Sequence, residues 1–207
     1  MAPTSTEPAR QAAPFAGVDG LPRHGDAITL APQQRLFDAG GGGGPWRLLR
    51  GLMRLDRIGR DGPLLVMLAE PGDWVGIDAL AGQPHGWRAS AITPVVLQGP
   101  LPPADATQRA AWLTEALLQL PERAHAMALL RTGSVRQRLA MLLRLLARPD
   151  VLGEADDPVE LRRRLPPLRV LAELVDAKHE TVCRVLAELL PRPTTLPRGM
   201  GLQAAAA

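Results

Sequence analysis

Between residues 23 and 100 the chain alternates short apolar runs with turn-forming clusters. The runs include Ala27–Leu30, Arg47–Leu55, Leu64–Leu68 and Pro94–Leu97. The breaks are Gly40–Gly44, Asp61-Gly62-Pro63, Pro71-Gly72-Asp73 and Gly82-Gln83-Pro84. Runs this short, broken this often, predict several strands closing into an all-β barrel or roll. Asp61-Gly62 lies between two runs and predicts a hairpin turn, although Pro63 argues against a strict two-residue loop. The glycine run Gly40–Gly44 lacks the Lys-Ser/Thr of a phosphate loop and reads as a flexible hairpin tip.

From residue 104 the period changes. Leu113, Leu117, Leu120, Ala124 and Met127 recur at alternating steps of four and three. That spacing predicts a long helix with a pairing seam. Pro121 is expected to kink or split it, because proline removes a hydrogen bond and clashes one turn back. A second helix is predicted over about 134–147, burying Leu139, Leu142, Leu143 and Leu146. Pro149 to Pro158 reads as an acidic connector. Residues 160–190 read as two short helices around Asp176-Ala177-Lys178. The expected division is a disordered arm (1–22), a β-roll (23–103), a central dimerisation helix (104–133), a helix-turn-helix unit (134–192) and a flexible tail (193–207). The fold class is α+β.

Composition narrows the function classes. The chain has 207 residues, 46% of them hydrophobic, and a single cysteine, Cys183. One cysteine excludes a disulfide framework, a cysteine-based zinc site and a four-cysteine cluster. No apolar run approaches the ~18 residues of a membrane span, and no secretory leader is visible, so a soluble cytoplasmic protein without membrane attachment is expected. Net charge is only +3, but residues 162–207 hold 8 basic and 4 acidic side chains. A basic C-terminal segment suggests a polyanionic partner. No catalytic constellation appears, and no metal or cofactor is expected. His85 and Cys183 fall in different predicted domains, which argues against a shared haem.

Two short amphipathic helices around a three-residue turn form a helix-turn-helix spacing, whose second helix lies in the DNA major groove. With Val182, Val185, Leu186 and Leu189 inward, His179, Glu180, Cys183, Arg184 and Ala187 face outward. Arginine can bond guanine bidentately, and glutamate can accept from cytosine. Glu180 and Arg184, four apart, can also pair with each other. By spacing alone, an ordinary helix pair bearing a surface ion pair is an equal alternative.

Lys178-His179-Glu180-Thr181-Val182-Cys183-Arg184-Val185-Leu186 resembles the recognition helix of the Crp–Fnr superfamily of regulators, Ser-Arg-Glu-Thr-Val-x-Arg-hydrophobic-Leu. Leu171-Ala172-Glu173-Leu174-Val175 is similar to the helix before it. Gly51-Leu52-Met53-Arg54-Leu55 and Pro71-Gly72-Asp73-Trp74-Val75-Gly76 resemble strand and turn motifs of the family's cyclic-nucleotide-binding-like roll. Arg138-Leu139-Ala140 with Leu143 fits the helix after the dimer helix. Together they cover roughly 24–190.

The resemblance implies a homodimeric, sequence-specific transcription regulator that reads an inverted repeat in double-stranded DNA, with RNA polymerase as a further candidate partner. It implies DNA contact through Lys178, His179, Glu180, Thr181, Cys183 and Arg184. Here His179 stands where the family has arginine, Asp176 where it has the turn glycine, and Lys178 where it has a serine cap; Asp176 could cap from the turn. Pro191, Pro193 and Pro197 oppose strands, so a degenerate wing is expected. Arg162, Arg163 and Arg164 are candidate phosphate contacts, with a plain solvated charge run as an equal alternative. Ile77 and His85-Gly86 replace the Glu and Arg-Ser of cyclic-nucleotide binders, so that ligand is not expected. Val75-Gly76-Ile77 and Ile92–Leu97 are similar to the cyanobacterial global nitrogen regulator. That implies a 2-oxoglutarate-type pocket of Gly76, Ile77 and Arg88; an effector-free roll is the favoured alternative. The rival function is a degenerate relative serving as a protein-interaction or small-ligand module.

Overall fold

The computed structural model describes residues 25–155 and 157–190. The predicted arm, the tail and the wing expected from Pro191 lie outside the described residues. The strands are β1 (Ala27–Leu30), β2 (Arg35–Phe37), β3 (Trp46–Arg50), β4 (Met53–Gly59), β5 (Gly62–Ala69), β6 (Trp74–Val75), β7 (Arg88–Ala91) and β8 (Val95–Gln98). They form two antiparallel four-stranded sheets, in the orders β1-β8-β3-β6 and β2-β7-β4-β5. Alternate residues fill the space between the sheets. Trp46 and Leu48 on β3, Met53 and Leu55 on β4, and Val95 and Leu97 on β8 are all buried.

Three local expectations are corrected. The run Arg47–Leu55 is two strands, divided at Gly51. There φ is +90°, and a Cβ would stand 2.3 Å from the Pro94 carbonyl oxygen. No side chain fits, so the chain turns and β4 joins the other sheet. The hairpin falls one residue early: Gly59 pairs with Gly62, leaving Arg60-Asp61 as the loop. Pro63 is tolerated because β5 is an edge strand. Gly40–Gly44 is no hairpin tip but a crossing between β2 and β3, which lie in different sheets. The His85 backbone ties it down: the Gly40 N–H donates to the His85 carbonyl (2.7 Å), and the His85 N–H to the Gly41 carbonyl (2.9 Å).

The helices are α1 (Ala106–Arg131), α2 (Val135–Leu146), α3 (Pro149–Leu152), α4 (Pro158–Arg164), α5 (Leu168–Leu174) and α6 (His179–Leu189). The Asp105 carboxylate caps α1 by accepting from the Gln108 N–H at 2.7 Å. Contrary to expectation, Pro121 does not split α1, which runs 26 residues. The hydrogen bond lost at Pro121 frees the Leu117 carbonyl, and both residues lie on the exposed side of the helix, where the freed carbonyl is not buried in the core. α2 begins with a capping box between Ser134 and Gln137, worth about 1 kcal/mol. The acidic connector contains α3, and the Asp157 carboxylate starts α4 by accepting from the Val159 and Glu160 N–H groups.

The inner side of α1 docks on the Pro71-Gly72-Asp73 turn. Arg47 and the Trp74 indole donate to Glu115 (2.6 and 2.8 Å), and Gln119 donates to the Gly72 carbonyl (3.2 Å). Buried Glu70 accepts from Arg123 of α1 and from Arg148 just after α2. One apolar core then joins roll to helices. Leu52, Leu68 and Ile92 pack with Leu130, Leu139, Leu142, Leu146, Leu171, Leu174 and Val182.

Candidate nucleic-acid interface

The α5–turn–α6 unit is built on that core. Val170, Leu171 and Leu174 on α5, and Val182, Val185 and Leu186 on α6, are buried; Leu189 packs partly against them. Between the helices Asp176 takes φ +47°, a left-handed conformation that Asp tolerates better than most residues. The Ala177 N–H donates to the Ala172 carbonyl (3.0 Å), closing α5 as a glycine-terminated helix would close.

Two arginines hold the remaining carbonyls. Arg138 Nη1 donates to the Val175 (2.6 Å) and Asp176 (3.1 Å) carbonyls, and Arg131 Nη1 to that of Leu174 (2.9 Å). These supports escaped the sequence reading, which took Arg138 only as part of a helix start. Nothing local in the sequence marks them, since their partners lie about forty residues downstream.

Lys178 is the N-cap of α6 and makes no side-chain cap bond, and Asp176 supplies none in its place. Lys178, His179, Glu180 and Arg184 are exposed along one side of α6; Thr181 and Cys183 are half-buried beside them. The expected Glu180–Arg184 pair does not form. Among the described residues, the side chains of Lys178, His179, Glu180 and Arg184 have no hydrogen-bond or ion-pair partner. At the far end Arg162 of α4 donates to the Leu186 and Leu190 carbonyls. Arg162 therefore caps α6, which removes it from the predicted phosphate contacts. Arg164 is likewise engaged, with Glu160 (2.9 Å) and the Leu152 and Glu154 carbonyls. Arg163, with 75% of its side chain exposed, has only a long contact to Glu160 at 3.5 Å.

The predicted effector trio is not brought together. Gly76 has φ +77°, and a Cβ there would meet His85 Cε1 at 2.7 Å, so the space over its backbone is already filled. Ile77 lines a cavity of about 180 Å³ beneath α1, with Trp74 and Trp87. Arg88 lies elsewhere. Its Nε donates to Asp38 at 2.7 Å, and it lines a separate cleft shared with α5. Spacing along the sequence could not show that the turn and β7 face different ways. Among the described residues no group of three or more His, Cys, Asp or Glu side chains could hold a metal ion. Nor is any described helix long and apolar enough to cross a membrane.

A β-roll, a long helix with exposed leucines on its outer side and a helix-turn-helix are the architecture of a DNA-binding regulator. No protein-family model matches the chain. It is 32% identical over 151 residues to the transcriptional regulator LdrP of Thermus thermophilus, covering 70% of this chain and 73% of that protein. Two solved structures, both from Thermus thermophilus, share the fold. A CRP-family transcriptional regulator matches at 27% identity and TM-score 0.63, over 78% of this chain and 83% of the other. A CRP/FNR-family transcriptional regulator matches at 25% identity and TM-score 0.53, over 79% and 85%. The chain belongs to the CRP/FNR family of DNA-binding transcriptional regulators.

Proposed function

We propose that the protein is a homodimer that reads an inverted repeat in double-stranded DNA, with one α6 in each half-site. The observation that carries this reading is the row of exposed side chains on α6 that lack partners among the described residues, on a helix whose opposite side is buried. Arg184 is free to bond guanine O6 and N7, and Glu180 to accept from a cytosine amino group. Lys178, His179, Thr181 and Cys183 flank them. Arg163 is the available phosphate contact of its trio. Dimerisation is assigned to the outer side of α1, where Leu113, Leu117, Leu118 and Leu120 are exposed.

In functional units, 23–103 serves as the sensor-like roll, 104–133 as the dimer helix and 134–192 as the reader. The site of action is the cytoplasm, and RNA polymerase is the partner of a regulator seated at a promoter. No catalytic role is assigned. The surface of α6, exposed among the described residues, favours this reading over a protein-interaction module.

Arg184→Ala tests it, measured by fluorescence anisotropy on a selected site and on scrambled duplex. Loss of one bidentate base contact is expected to weaken specific binding by about tenfold or more, with scrambled-duplex affinity little changed. An unaltered preference for the selected site would remove Arg184 from the readout.

A further inference from the structure

Where β2, β4 and β7 meet α5, the roll and the reading unit enclose a cleft of about 200 Å³. Arg35, Arg54, Arg88 and Arg169 line it, four guanidiniums from four elements. Three carboxylates answer them. Asp38 is shared by Arg35 (2.5 Å) and Arg88 (2.7 Å), Asp56 belongs to Arg54, and Glu173 lies 2.9 Å from Arg54 and 4.0 Å from Arg169. Four charges against three leave one positive charge in excess.

Arg54 is the pivot. Its Nε and Nη2 are committed to Asp56, which is 2% exposed, so that half of the fork is fixed. Its Nη1 alone reaches across to Glu173 on α5. The Glu173 carboxylate is 48% exposed, and an ion pair of that exposure holds weakly. A ligand offering a better-placed, more highly charged group can therefore take Nη1 without disturbing the Arg54–Asp56 pair. Guanidinium forks suit oxyanions bidentately.

We propose that this cleft binds a compact multivalent oxyanion of the phosphate or polycarboxylate class. Arg35, Arg54, Arg88 and Arg169 hold it, and it displaces Glu173 from Arg54. Glu173 lies on the helix before α6, so occupancy releases one tie between the roll and the reader. That consequence rests on the DNA reading proposed above; the binding itself does not.

The test is calorimetric titration of the full-length, DNA-free protein with inorganic pyrophosphate at near-physiological salt. Citrate in a second titration separates phosphate from polycarboxylate preference. One saturable site per chain is expected. Arg88→Met, and independently the half-exposed Arg35→Met, should each weaken it by about tenfold. Glu173→Gln, which removes the competing carboxylate, should tighten it. Heats that do not saturate with either anion, or affinity indifferent to both arginine substitutions, would overturn the site. Equal affinity in Glu173→Gln would overturn the displacement. Because no DNA is present, a failure here is distinct from a failure of the α6 reading.

Discussion

His85 is 1% exposed, and neither of its ring nitrogens has a hydrogen-bond partner among the described residues. It stacks on Phe37 at 3.8 Å and fills the space over the Gly76 backbone. Burial pushes its pKa below the ordinary 6.5, and the nearby Asp78 carboxylate offsets this only in part. The folded state therefore holds the neutral ring, while the unfolded chain takes up a proton below its own pKa. The stability tied to this group is complete above about pH 6.5 and declines as pH falls through that value toward the depressed folded pKa. Urea midpoints between pH 7.5 and 5.5 should fall more steeply for the wild type than for His85→Leu; parallel slopes would contradict the assignment. Gly51 is the second residue on which the roll turns. Gly51→Ala should cost about 2 kcal/mol or more, from a left-handed φ and a backbone collision together, read as a lower urea midpoint. Gly51 was legible as part of a family-like motif, but its reason, the Pro94 carbonyl, was not. The approach of the β3–β4 turn to the start of β8 is a property of the closed roll.

At the scale of elements, the α1 pattern was the most readable and also the most mixed. Leu113, Leu117 and Leu120 are exposed, with Leu117 at 64%. Met127 packs instead on the core shared with α2, because the end of α1 is covered by the helical domain. A four-and-three spacing cannot tell one apolar partner from another, so both lay in one predicted seam. Leu117→Asp should shift the protein from dimer to monomer in sedimentation velocity, with its circular dichroism retained; a dimeric variant would remove this side of α1 from the interface. The apolar runs marked β1, β3 with β4, β5 and β8, because each is a continuous apolar stretch between turn residues. β2, β6 and β7 were missed because they are short and interrupted by polar or glycine residues, and sheet pairing rather than local propensity forms them.

Across the whole molecule, the exposed face of α6 was legible and its supports were not. The burial of Val182, Val185 and Leu186 follows from helical period, which leaves Glu180 and Arg184 outward. What holds α6 in place is long-range. Arg131 and Arg138 hold the turn, Arg162 holds the far end of α6, and Arg54 joins the roll to Glu173. Each is an arginine meeting a carbonyl or carboxylate far away in sequence, which no local pattern encodes. The same cause misplaced Arg88, read as a neighbour of Gly76 but facing the cleft on α5. Two of these ties, from Arg54 of the roll and Arg131 of α1, run into the α5–turn–α6 unit, so in the proposed dimer the spacing of two α6 helices would depend on the body beneath them.

The central claim is that this body presents α6 in pairs to DNA. Selection of duplexes from a random library by the purified protein, at near-physiological salt, tests it most directly. The account predicts enrichment of an inverted repeat with half-sites about one helical turn apart, each carrying a guanine whose preference disappears in Arg184→Ala. Recovery of no common sequence, with binding that merely weakens as salt rises, would contradict it.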